Sequence, residues 1–252
     1  MTGKNGEVNE SVEHAETPSE PKRIGRRLFL SVIGLGVVGV ALGPGLSNIE
    51  SKFLNIFSKK PGTGLASLLP GASQFRIYSV TNTIPIVAND AYRLRVGGLV
   101  RVPRTLTLAD LMNMPATSLV KDFQCVTGWR VPNVHWKGVM LRDLLDAVGV
   151  EPGAKAVEFA SFDGEYTESL TLAEARRADV IIAYEMLGAP VTPEHGGPVR
   201  LYVAPMYGYK SAKWLKSITL VRAGVPGFWE RNGYDVEGWI GRSNGRTDQP
   251  VD

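Results

Sequence analysis

The sequence predicts an α+β fold with a mixed sheet or a barrel-like core. Three observations support this class. Six segments of strand character recur between residues 92 and 221, three short helical patterns interrupt them, and the two kinds do not alternate in the regular order that a parallel sheet requires. Hydrophobic content of 44% with 21% charged residues is that of an ordinary globular domain.

Taken in order, residues 1–24 are polar and acidic without hydrophobic periodicity, as expected of a disordered cytoplasmic tail. At residues 25–46 the character changes. Arg26 and Arg27 lead into an uncharged, glycine-rich apolar run that ends at Leu46. This reads as a twin-arginine export signal or as a membrane anchor, because residues 28–46 are close to the ~20 needed to cross a bilayer. Ala41 and Gly43 are the only small-residue exit and Pro44 follows at once, so the segment is expected to stay attached. Lys22, Arg23, Arg26 and Arg27 keep its N-terminal side in the cytoplasm and place the folded part outside, in the periplasm or its equivalent. Residues 47–74 form a linker, amphipathic at first and then rich in Pro, Gly and Ser. The folded domain spans 75–252.

Within the domain, strands are expected at 92–96, 118–123, 157–162, 180–184, 199–204 and 214–221. Thr107 is an N-cap for a short helix that ends before Pro115. Residues 140–148 carry apolar side chains at 3,4 spacing up to Gly149, and 171–178 is a third helical pattern. A net charge of +3 without basic runs interleaved with aromatics argues against nucleic acid as a partner.

Cys125 is the only cysteine, so an exported domain has no internal disulfide and must rely on its core. It follows a strand-like stretch and precedes a turn, Val126 to Trp129, which places the sulfur where a rigid element can hold it. Lys121 and Arg130 supply nearby positive charge, and a metal would make the thiolate favourable. A buried structural cysteine is the alternative.

Five motifs in order carry a resemblance. They are Phe123, Gln124 and Cys125; the run from Trp136 through Lys137, Gly138 and Arg142 to Leu145; Ala183, Tyr184, Glu185 and Gly188; His195, Gly196, Gly197 and Arg200; and Lys213 with Trp214 and Leu215. Together they resemble the molybdopterin domain of the sulfite oxidase family, and also the bacterial periplasmic methionine-sulfoxide reductase catalytic subunit, over about residues 75–240.

The resemblance implies the sulfite-oxidase-type molybdopterin-binding fold, a Mo-molybdopterin cofactor and Cys125 as the metal ligand and catalytic residue. It implies cofactor contacts from Asn82, Pro85, Ile86, Ser161, His195, Arg200, Ser211, Ala212 and Lys213. His195 also reads as a turn residue beside two glycines. On the substrate side it implies Arg130, whose fork suits an oxyanion, and Tyr234, which would hydrogen-bond or pass a proton. A surface arginine and a loop aromatic are the alternatives. His135 matches no ligand position, which disfavours a histidine-based zinc site.

Departures bear on the substrate. Thr81 stands where sulfite oxidases carry an arginine, only about a dozen residues follow Ile240 in place of their dimerisation domain, and no C-x-x-C-H haem motif is present. The expected activity is a two-electron oxygen-atom transfer on a small oxyanion or sulfoxide. Protein-methionine-sulfoxide reduction or sulfite dehydrogenation are the particular forms, with electrons exchanged with a membrane haem protein or soluble cytochrome. A non-catalytic pterin-fold module of a respiratory complex is the reading from another class.

Overall fold

The computed structural model describes residues 75–248. The twin-arginine stretch, the apolar run and the linker lie outside them. Among the described residues no helix is long and apolar enough to cross a membrane.

Ten strands build two sheets. β1 (Leu94–Gly98), β2 (Arg104–Leu106), β5 (Ala156–Ser161), β6 (Thr167–Thr171) and β10 (Leu215–Val221) form the first, in the order β2-β1-β10-β5-β6. Its β1–β10 pair is parallel and its other pairs are antiparallel, so the sheet is mixed. β3 (Ala116–Gln124), β4 (Arg130–Met140), β7 (Val180–Met186) and β8 (Ala189–Pro190) form the second in that order, with β9 (Arg200–Val203) also on β7. Both sheets are open. The barrel-like core expected from the sequence is not formed, because strands at the sheet edges have no further partner to close on.

The main core lies between the sheets. Leu94, Val96, Phe159 and Ile218 of the first meet Val139, Val180, Ile182 and Leu201 of the second. The opposite face of the second sheet is covered too, by Phe75, Phe123 and Trp129 over Val131, Trp136, Ile181 and Tyr202. Burial on both faces explains why β7 reads VIIAYEM without alternation.

The helices are short. α1 (Leu108–Met112) has the expected Thr107 cap, with Asp110 answering it in a reciprocal capping box. In α2 (Leu141–Val148), Leu141, Leu144, Leu145 and Val148 turn one face to the core. The third pattern is trimmed to α3 (Leu172–Ala175), because Arg177 forks onto Asp179 and draws the chain away towards β7. α4 (Phe228–Arg231) had no expectation in the sequence.

β4 was also unexpected, since Pro132, Asn133 and Gly138 read as breakers. A bulge resolves the conflict. Asn133 takes a positive φ of 53° while its N–H donates to Asp122 Oδ1 at 2.9 Å, beside a register shift in the β3–β4 ladder. Gly138 is required by close approach, because a Cβ there would land on the Ile182 carbonyl of β7.

Candidate functional site

β3 ends at Gln124 and the chain turns back tightly. The Cys125 N–H donates to the Trp129 carbonyl at 2.9 Å and Gly128 N–H returns to the Cys125 carbonyl at 3.0 Å. This hairpin tip holds a partly buried thiol, and the Thr127 hydroxyl donates to its sulfur at 3.2 Å. Burial pushes the thiol pKa up, against the pull of Thr127 and, from further off, of Arg76 and Arg246. Without a metal the sulfur is therefore held as a thiol, and a bound cation is what makes the thiolate favourable.

The charges that act on the sulfur differ from those expected. Arg130 stands opposite Gln124 in the ladder, and its Nε lies 3.5 Å from Asp122 with the side chain half exposed. In place of Lys121 and Arg130, the cations whose charge pulls the thiol pKa down are Arg76 and Arg246. Gly128 makes room for the second of these. Its φ is +105°, and a Cβ at that position would come within 2.9 Å of Arg246 Nη2. Asp248 fixes Arg246 by accepting from its Nε at 3.3 Å, and the same oxygen accepts from Gln124 Nε2 at 2.9 Å and Tyr207 at 2.8 Å. Nothing local marks Arg246 in the sequence, since only the tertiary fold brings it to the hairpin.

A second group of predicted residues forms one bonded cluster. Arg200, buried on β9, donates from Nη1 to the His195 carbonyl at 2.6 Å and from Nη2 to the Ser211 carbonyl at 3.2 Å. Its guanidinium lies 5.4 Å from both the Phe123 and Trp136 rings. Ser161 donates to the Lys213 carbonyl at 2.5 Å, Ser211 Oγ accepts from Val203 N–H at 3.0 Å, and the carbonyl of buried Ala212 accepts from Leu201. Lys213 donates its ammonium to the Tyr78 carbonyl, with Nζ 4.1 Å from the Trp214 ring centroid. That bond ties in the 79–83 turn, where Asn82 sits at φ 57°. Pro85 is half-buried and Ile86 is 82% exposed, so Ile86 touches a cofactor only if the cofactor itself covers it.

Phe75 joins the two groups. Its ring lies 5.5 Å from Phe123, 6.2 Å from Trp129 and 5.0 Å from His195. Tyr234 approaches from the other side, edge-on to Trp229 and Tyr209 in the small cluster that also takes in Val126 of the hairpin. The structure thus gathers Cys125, the 195–213 cluster and Tyr234 around one hairpin, and leaves Arg130 turned towards Asp122.

The cluster has the electrostatics of an anion site. Among the described residues neither Arg200 nor Lys213 has a carboxylate salt-bridge partner. Burial pulls Arg200 down to about 10, and burial together with Arg200 pulls Lys213 down to about 7. Burial, Arg200 and Lys213 bring His195 to about 4, so its ring is neutral near pH 7 and offers one donor and one acceptor. Buried Arg200 and half-buried Lys213, neither of them salt-bridged to a carboxylate among the described residues, fit a bound phosphate, whose charge would offset theirs. Among the described residues no group of three or more His, Cys, Asp or Glu side chains is placed to hold a metal ion. Cys125 would then be the one protein ligand, with the others supplied by the cofactor.

A pH dependence follows. Unfolded, Lys213 keeps its proton up to the ordinary value of 10.5, whereas folded it releases it at about 7. Between those values the unfolded chain binds more protons, so cofactor-free protein gains stability as pH rises through this window. Melting temperatures measured from about pH 6 to pH 9 should climb in the wild type and climb less in Lys213→Met. An unchanged slope in the variant would remove Lys213 as the cause.

A strand-end thiol beside a cationic cradle, on two open sheets, fits a protein that binds an anion-bearing cofactor. The chain belongs to the oxidoreductase molybdopterin-binding domain family, whose model matches residues 81–229, and its cofactor is Mo-molybdopterin. It is 40% identical to the uncharacterized oxidoreductase YuiH of Bacillus subtilis over 148 residues, covering 58% of this chain and 74% of that one. It is 33% identical to sulfite oxidase of Arabidopsis thaliana, covering 61% and 48%, and 29% identical to the protein-methionine-sulfoxide reductase catalytic subunit MsrP of Ralstonia nicotianae, covering 63% and 52%. Among solved structures, the sulfane dehydrogenase SoxCD of Paracoccus pantotrophus matches with a TM-score of 0.53 and 25% identity, over 57% of this chain and 41% of that one. The chain therefore spans about half or less of these last three. The sulfite-oxidase-type fold and an oxidoreductase activity are established by these likenesses.

Proposed function

We propose that this protein is the catalytic unit of an exported molybdoenzyme that transfers an oxygen atom to or from a small sulfur oxyanion in a two-electron reaction. The observation that carries the reading is Arg246, held by Asp248 against Gly128 of the Cys125 hairpin, beside the buried Arg200 fork. When bound, the molybdenum cofactor supplies the two-electron couple for such a transfer.

The chain's own residues supply the rest. Cys125 would ligate the metal as thiolate. Arg200 and Lys213 would neutralise the cofactor phosphate, and neutral His195, Ser161, Ser211, Ala212, Asn82, Pro85 and Ile86 would supply the remaining contacts to the cofactor. Arg246, held by Asp248, orients an anionic substrate with Arg76, and Tyr234 holds a proton at its hydroxyl on the substrate side. Arg130 takes part only if its pairing with Asp122 opens.

A second reading, sulfoxide reduction, draws on the likeness to MsrP and on Thr81. Export rests on Arg26, Arg27 and the apolar run behind them. The chain's one cysteine makes no C-x-x-C-H haem site, and electrons are exchanged, in either direction, with a separate haem protein of the membrane or a soluble cytochrome.

The test is full-length protein from a cofactor-producing, twin-arginine-competent host, assayed with sulfite and an artificial acceptor, and with sulfoxides and a reduced dye. Arg246→Gln should raise KM for the anion on the order of ten-fold with kcat little changed, as loss of a charge-assisted contact to a ground-state anion requires. Turnover of sulfoxides alone, indifferent to Arg246, would replace the oxyanion reading with the second one.

A further inference from the structure

Behind Tyr234 lies a buried ionic cluster that the cofactor chemistry does not use. Lys210 sits in the short 3-10 turn Gly208–Lys210, immediately before Ser211, and its side chain is 1% exposed. Its ammonium donates to Glu168 Oε1 on β6 at 2.5 Å and to Glu230 Oε1 on α4 at 2.7 Å, with the carbonyls of Ser169 at 2.9 Å and Val236 at 2.8 Å also within reach. Both carboxyl groups are fully buried. Two carboxylates against one ammonium would leave a buried negative charge, and such a charge is costly.

The geometry indicates how this is avoided. Glu168 Oε2 and Glu230 Oε2 are both buried, and neither has a hydrogen-bond partner among the described residues. Two ionised oxygens cannot satisfy one another, but a single proton makes one the donor and the other the acceptor.

We propose that Glu168 and Glu230 share one proton between their Oε2 atoms while Lys210 bonds the Oε1 atom of each, and that this clamp positions the Tyr234 loop against the cofactor-binding turn. Glu168 accordingly has its pKa pushed well above the ordinary carboxylate range, by burial first and by Glu230 after the opposing pull of Lys210. Lys210 keeps its charge, since Glu168 and Glu230 together outweigh the penalty of its burial.

The clamp spans three segments. Lys210 leads directly into Ser211, Ala212 and Lys213, and Glu230 adjoins Trp229. Val236 lies two residues beyond Tyr234, and the Tyr209 hydroxyl donates to the Asp235 carbonyl at 2.7 Å with its ring 5.4 Å from that of Tyr234. The other polar groups around the cluster are Tyr166, whose hydroxyl donates to the Tyr209 carbonyl, Tyr209 itself, Asp163 and Asp235. Arg231, the next residue on α4, donates instead to Thr167 and to the Pro226 carbonyl at the surface. The role of Tyr234 rests on the function proposed above, whereas the shared proton does not.

The test uses the full chain, with and without cofactor, as wild type, Glu168→Gln, Glu168→Ala and Lys210→Met. Infrared difference spectra in heavy water should show a protonated carboxyl band at neutral pH that Glu168→Gln removes, in cofactor-free and loaded protein alike. Absence of that band overturns the shared proton whether or not the molybdenum reading stands. In loaded protein Glu168→Gln should stay within about two-fold of wild-type kcat, because its amide donates to Glu230 and its oxygen accepts from Lys210. Glu168→Ala and Lys210→Met should lose about ten-fold or more in kcat at retained molybdenum content. The wild type should lose kcat at alkaline pH as the proton leaves, and Glu168→Gln should not. A loaded Lys210→Met enzyme with unchanged kcat, or identical alkaline limbs in wild type and Glu168→Gln, would overturn the positioning role.

Discussion

Replacing Cys125 with alanine is expected to abolish turnover, by at least about a thousand-fold, and to strip molybdenum from the purified protein. The hairpin offers no other soft ligand. Cys125 is the only cysteine in the chain, and the nearest hydroxyl, on Thr127, is itself bonded to the sulfur at 3.2 Å. Folding should survive, because the hairpin is closed by backbone bonds between Cys125, Gly128 and Trp129 that alanine can make equally well. Metal analysis beside a melting curve separates these outcomes. A folded, fully active Cys125→Ala protein would refute the assignment. Cys125→Ser is the stricter test, since it keeps the size and offers a hard oxygen in place of sulfur.

Arg200 should give the second large effect, and its two roles are separable. Its fork ties the His195 and Ser211 carbonyls together, and its charge awaits an anion. Arg200→Ala leaves two carbonyls without that donor, at about 1–3 kcal/mol each, although removing a buried cation returns part of the cost. The net loss of cofactor-free stability should be a few kcal/mol at most, a shift of roughly 2–4 °C in Tm per kcal/mol. Cofactor content should suffer more, falling on the order of ten-fold or beyond, because the phosphate loses a buried partner that Lys213 alone cannot replace. Arg200→Met fills the space between Phe123 and Trp136 without charge. It should melt near the wild type while still failing to load. Full molybdenum content in Arg200→Met would show that the cradle is structural only.

Much of the architecture was legible because pattern and environment agree. β7 is an apolar run that ends up covered, β10 buries Leu215, Ile218 and Leu220 between polar positions, α2 shows its 3,4 spacing, and Thr107 caps where a cap is needed. Where pattern and environment part, reading failed for identifiable reasons. β4 hides behind Pro132, Asn133 and Gly138, each tolerated by a bulge or demanded by a neighbouring strand. β6 hides because Glu168 and Ser169 look solvent-facing, yet Lys210 from a distant turn makes their burial affordable.

The site divides in the same way. Its chemical identity is local: the resemblance that implies the cofactor is carried by short motifs in fixed order, from Cys125 to the residues between His195 and Lys213. Its electrostatics are not local, because charge acts through space. Arg130 was implied as the substrate's partner by the family resemblance, but pairs with Asp122, while Arg246 arrives from far along the chain through a gap that only Gly128 leaves open. Ligand types and element patterns were determined by the sequence itself. Which cations act on the sulfur, and which acid keeps a proton behind Tyr234, were decided only by the tertiary structure, because burial and distance set those energies and neither is written in residue order.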